Sequence, residues 1–100
     1  MANAPLTLDA AISFMPDVVF KDIRGEGVIL NMSTGIYFGL DETSTRIWQL
    51  IAAHQSLRRV FEHMLEEFDV EPKRLEQDLL GFVGELINRG LAQTTISSSM

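Results

Sequence analysis

From residue 18 the chain runs in short apolar stretches, and after residue 41 the spacing of its apolar positions changes from strand-like to helix-like. Val18-Val19-Phe20-Lys21-Asp22-Ile23-Arg24 is rich in β-branched and aromatic residues, which suit a pleated surface. Gly25-Glu26-Gly27 breaks that run. Val28-Ile29-Leu30-Asn31-Met32 is a second strand, Ser33-Thr34-Gly35 is turn chemistry, and Ile36-Tyr37-Phe38-Gly39-Leu40 is a third strand. Three short strands joined by glycine-bearing turns read as an antiparallel meander whose first and third strands are edges.

From Asp41 onward, Asp41, Thr43 or Ser44 can cap a helix that carries Ile47, Trp48, Leu50 and Ile51. Ser56 opens a second helix with the stripe Leu57, Val60, Phe61, Met64, Leu65 and Phe68. Pro72 suits the first turn of a third helix, whose apolar positions are Leu75, Leu79, Leu80, Phe82, Val83, Leu86 and Ile87. Gly90 suits its C-terminal cap. The expected fold is α+β: a three-stranded antiparallel sheet followed by three helices, in a winged helix-turn-helix-like order. Residues 1–17 read as a loosely held N-terminal arm, residues 18–91 as one folded domain, and residues 92–100 as a flexible C-terminal tail.

Composition narrows the chemistry. The 100 residues are 46% hydrophobic and 22% charged, which suits a single packed domain. With no cysteine, disulfides, thiolate metal sites and cysteine nucleophiles are excluded. The net charge is −6, shared equally by the two halves, so no basic block awaits nucleic acid. The start of the chain lacks the basic-then-apolar pattern of a signal peptide and no run is long enough to span a membrane, so a cytoplasmic protein is expected, with no membrane partner.

Catalytic constellations are missing from the pattern. His54 and His63 have no metal-ligand spacing, and Glu66, Glu67, Glu71, Glu76, Asp78 and Glu85 fall where helices meet solvent. There is no nucleophile elbow and no phosphate loop. The expectation is a non-enzyme with no catalytic residue, cofactor or metal. A winged-helix DNA-binding regulator remains the rival of another class. Against it, Lys73, Arg74 and Arg89 on the third helix are balanced by Glu76, Asp78 and Glu85.

Two features point to binding instead. In the third strand Ile36, Phe38 and Leu40 share the face toward the helices, while Tyr37 and Gly39 share the other. Gly39 leaves bare backbone that another chain can approach. The third helix is also wider in apolar surface than one packing stripe requires, as a groove wall would be.

The segments Glu26 to Met32, Thr34-Gly35-Ile36-Tyr37-Phe38-Gly39-Leu40-Asp41-Glu42 and Arg46-Ile47-Trp48-Gln49-Leu50 resemble the PqqD-like family, as do Asp78 to Leu86 and Gly90-Leu91. Its members are RiPP recognition elements, small domains that hold the leader of a ribosomally made precursor peptide. The resemblance implies that a leader adds as a strand beside Ile36 to Leu40, over a groove floored by the third helix. The peptide-binding residues it implies are Ile36, Tyr37, Phe38, Gly39, Leu40, Leu75, Asp78, Leu79, Phe82 and Val83. The Thr34 to Leu40 form is most similar to stand-alone subunits of lasso-peptide pathways. That implies a transglutaminase-like leader peptidase as partner and a macrolactam-forming cyclase downstream. The alternative is a peptide chaperone for a radical SAM enzyme in pyrroloquinoline quinone or related biosynthesis. Where members often carry Asp-Gly between the first two helices, this chain has Ala52-Ala53-His54-Gln55. A monomer is expected with leader bound, although two open sheet edges permit a strand-exchanged dimer.

Overall fold

A computed structural model describes residues 6–95. The chain folds as β1 (Ala11–Phe14), β2 (Val18–Ile23), β3 (Glu26–Asn31), β4 (Ile36–Gly39), α1 (Glu42–His54), α2 (Leu57–Glu67), α3 (Pro72–Asn88) and β5 (Ala92–Thr95). The α+β expectation holds: β2, β3 and β4 form an antiparallel sheet in that order, followed by three helices.

The first hairpin turns one residue earlier than the glycines suggest. Arg24 and Gly25 both take positive φ, 57° and 88°, the signature of a two-residue type I′ loop that matches the twist of its strands. Glu26 and Gly27 therefore belong to β3, opposite Ile23 and Asp22. Gly27 is required there for space. A Cβ would lie 2.3 Å from the Phe20 ring, and its N–H donates to the buried Thr45 hydroxyl at 2.7 Å. The missing side chain lets Phe20 and α1 close on the sheet together.

The helix signals act where the sequence places them. Asp41 caps α1 by accepting from the Ser44 N–H, Ser56 caps α2 through the Arg59 N–H, and Pro72 stands in the first turn of α3. At the end of α3 the Leu91 N–H donates to the Leu86 carbonyl and the Gly90 N–H to Ile87, with Gly90 at φ 75°. This is a Schellman cap, and it brings Leu91 back over Leu86. Between α1 and α2, Gln55 takes φ 65°. That left-handed conformation suits glycine better than a residue with a side chain.

One expectation is corrected. The first seventeen residues are not loosely held throughout, because β1 pairs antiparallel with β5, Ala11 facing Thr95 and Phe14 facing Ala92. Ile12 is fully buried and Leu8 nearly so. The Ile12 N–H reaches the Gln55 carbonyl and the Leu57 N–H reaches the Ala10 carbonyl, tying this strand to the α1–α2 junction. Burying Ile12 alone is worth about 1.5–3 kcal/mol. Ala92–Thr95 is correspondingly a strand. The rest of the tail, residues 96–100, lies outside the described residues.

The core is the space enclosed by the two small sheets and the helices. Trp48 is its centre, stacked between Phe14 (ring centroids 3.7 Å apart) and Phe20 (5.5 Å). Ile29, Ile51, Leu57, Val60, Met64, Leu79 and Val83 complete it, each at most 1% exposed. Among the described residues no helix is long and apolar enough to cross a membrane.

Candidate functional site

The ladder between β3 and β4 decides which backbone groups remain free. The Leu40 N–H donates to the Gly27 carbonyl at 2.8 Å, and Phe38 stands opposite Ile29. Residues of an antiparallel strand alternate in the side to which their N–H and C=O point. Ile36, Phe38 and Leu40 therefore bond inward to β3. Tyr37 and Gly39 direct theirs outward, along an edge that pairs with no strand among the described residues. A Cβ added at Gly39 would meet nothing within 4 Å, so the outer face of the strand is open at that position.

Beside this edge, on its inner face, lies a recess of about 230 Å³. Phe38, Gly39 and Leu40 form one wall, Phe82, Glu85 and Leu86 of α3 with its C-cap Arg89 the other, with Ile29 and Leu91 at its back. The helix wall follows from its period. Phe82, Glu85, Leu86 and Arg89 are spaced by three and four and share one stripe, whereas Leu75, Leu79, Val83 and Leu86 form a second stripe turned into the core. Leu86 belongs to both. One stripe packed in the core and another lining the recess together widen the apolar surface of α3.

Only part of the peptide-binding set expected from sequence meets here. Phe38, Gly39, Leu40 and Phe82 converge on the recess. Leu75, Leu79 and Val83 do not line it: they are 6%, 0% and 0% exposed within the core, so they support the wall without offering it a surface. Asp78 projects into solvent and pairs with Arg74 at 3.4 Å, one turn away on α3. Ile36 shares the inner face of the sheet but is 54% exposed, beyond the recess. Tyr37 is 69% exposed on the opposite face, where it joins Val19, Lys21, Ile23, Val28 and Leu30 around a shallow apolar depression.

Sequence reasoning missed Glu85 and Arg89, because charged residues on an amphipathic helix are read as solvent-facing. Here they rim the recess. The Arg89 Nε–H donates to Glu85 Oε1 at 2.9 Å, and the guanidinium lies 5.0 Å from the centroid of the Phe38 ring. The only signal for them was the i, i+3, i+7 spacing from Phe82. Away from the site, Arg46 of α1 donates from Nε to Glu67 of α2 at 2.8 Å. That hydrogen bond holds the Glu67 carboxyl below its ordinary range and raises Arg46. His54 and His63 stack on each other, and among the described residues no cluster of three metal-ligating side chains occurs. A free strand edge above an apolar recess can hold an extended peptide by its main chain and seat an apolar side chain below.

The pattern of the family described as coenzyme PQQ synthesis protein D (PqqD) matches residues 26–92. The chain belongs to the PqqD family. Among solved structures, "TbiB1 in Complex with the TbiA(beta) Leader Peptide" is 31% identical, with a TM-score of 0.78 over 84% of this chain and 98% of that one. "Lasso peptide synthetase B1 complexed with the leader peptide" is 25% identical, with a TM-score of 0.77 over 84% and 99%. None of the curated proteins matches significantly. The PqqD match begins at β3 and takes in β4, all three helices and the first residue of β5, so it contains both walls of the recess.

Proposed function

We propose that this PqqD-family protein captures the leader of a ribosomally made precursor peptide by strand addition and presents it to a separate processing enzyme. The observation that carries the reading is the pair of outward backbone residues, Tyr37 and Gly39, directly above the recess between Phe38 and Phe82. The leader forms a fourth strand with main-chain bonds to those two residues. Its inward side chains alternate over Phe38, Leu40, Phe82 and Leu86. A short strand with two or three buried anchors reaches micromolar affinity or tighter, about −8 kcal/mol.

The resemblance of Thr34 to Leu40 to lasso-pathway subunits, together with two B1–leader complexes of the same fold, supports a cytoplasmic lasso-peptide role. In that role the domain itself performs no chemistry. A transglutaminase-like leader peptidase receives the precursor and a macrolactam-forming cyclase acts next. The PqqD match favours one second reading, a peptide chaperone for a radical SAM enzyme. Titration with fluorescein-labelled leader peptides of lasso-peptide precursors tests the proposal. Saturable binding at micromolar or lower concentration is expected, and its absence overturns the reading. Leader cleavage accelerated by this protein in a reconstituted peptidase reaction separates the lasso role from the radical one.

A further inference from the structure

The recess has two charged residues on an otherwise apolar lining, and one of them crosses it. Arg89 is anchored at the C-terminal cap of α3, where the hydrogen bonds of Gly90 and Leu91 fix its backbone. Its guanidinium reaches from the helix wall to the strand wall and lies over the Phe38 ring at 5.0 Å. Glu85, one turn earlier, holds the Nε–H at 2.9 Å and so steadies the arginine in that position. Phe38 is the strand residue whose side chain faces the recess between the two outward-bonding positions, Tyr37 and Gly39. An inward side chain of a strand added at that edge needs the surface that Arg89 covers.

We infer that Arg89 is a latch on the groove: it covers the Phe38 ring on the strand side of the recess in the leader-free protein and must leave that ring for a leader side chain to reach it. The inference rests on the leader-binding reading and adds a residue that sets the threshold of that site. A peptide with no side chain able to replace the guanidinium on Phe38 gains nothing from displacing it, so weakly anchored peptides are turned away. The contacts that hold the latch are individually small, a cation–π contact at a partly exposed ring and a surface ion pair within one helix. A well-anchored leader therefore overcomes them.

The latch can be read without leader and with it. In the leader-free protein the Arg89 side-chain Nε–H and Hδ resonances are expected to carry an upfield ring-current shift that disappears in Phe38→Leu. Saturation with the labelled-leader sequence should remove the same shift from the wild-type protein. Arg89→Ala should tighten leader binding about two- to fivefold, the range set by loss of one exposed cation–π contact. Arg89→Lys, which keeps the charge but not the planar face, should fall between the two. An Arg89 signal with no ring-current shift in the free protein overturns the latch, as does a shift that persists at leader saturation. Weaker leader binding by Arg89→Ala also overturns it, because Arg89 would then grip the leader rather than exclude it. Wild-type protein that carries the shift but binds no leader retains the Arg89 cover on Phe38 and overturns the leader-binding reading instead.

Discussion

β2 and β4 are the two edges of one three-stranded sheet, and they differ in what stands beside them. Along β2 the outward main-chain groups belong to Val18, Phe20 and Asp22, by the same alternation that exposes Tyr37 and Gly39 on β4. Below β2 the space is full: Phe20 lies on Trp48, and Gly27 gives up its side chain so that it can. Asp22 is also occupied, its carboxylate accepting from the Gly25 N–H at 2.8 Å and the Gln49 side chain at 3.2 Å. Lys21, Asp22 and Arg24 mark that edge with charge, a common defence against unwanted pairing. Below β4, α3 stands away from the strand and leaves the recess. Both edges have unpaired backbone; β4 alone has it next to an unfilled apolar space.

The comparison can be broken most forcefully from the core side. Leu79→Ala deletes a fully buried side chain on the core stripe of α3 and should cost about 2–5 kcal/mol of stability in a urea melt. The affinity of the folded protein for leader should change little, since Leu79 offers the recess no surface. Proline scanning addresses the edges themselves. Gly39→Pro removes an outward N–H and blocks the approach, and should weaken leader binding at least about 100-fold by fluorescence titration. Asp22→Pro makes the equivalent change on β2 and should leave leader affinity unaltered, at some cost in stability from the loss of its carboxylate contacts. Equal losses at both edges would erase the distinction drawn here. Phe82→Ala removes part of the helix wall and should reduce affinity about tenfold.

The smallest expected effect is a control remote from both edges. Glu67→Gln breaks the ion pair with Arg46 and should cost under about 1 kcal/mol, because both side chains are a third or more exposed to water or nearly so. The folded-state pKa of Glu67 lies below its ordinary 4.5. Its stabilisation is thus complete above that ordinary value and is lost as pH falls through the lowered one. Thermal melts of the wild type and Glu67→Gln should therefore differ at pH 7 and converge in acid, with leader affinity unchanged at pH 7.

Local signals account for what was legible in the sequence. Asp41, Ser56, Pro72 and Gly90 carry their helix boundaries in their own chemistry, and the meander follows from glycine-punctuated β-branched runs. The β1–β5 pair was not legible, because four residues at each end, with the rest of the domain between them, offer no local sign that they meet. Within the site, Phe38, Gly39, Leu40 and Phe82 followed from strand alternation and a resemblance. Leu75, Leu79 and Val83 were indistinguishable from groove residues in sequence, since both stripes of α3 carry large apolar side chains. Only the rotation of the helix against the sheet separates them. Arg89 was hidden for the opposite reason, as a charged residue placed over an aromatic ring.

Hydrogen exchange at single-amide resolution, with and without leader, tests the central claim most directly. Saturating leader should slow exchange at the Tyr37 and Gly39 amides while the outward Phe20 and Asp22 amides of β2 exchange as before. Protection of Phe20 and Asp22 instead, or leader binding that leaves Tyr37 and Gly39 unprotected, would contradict it.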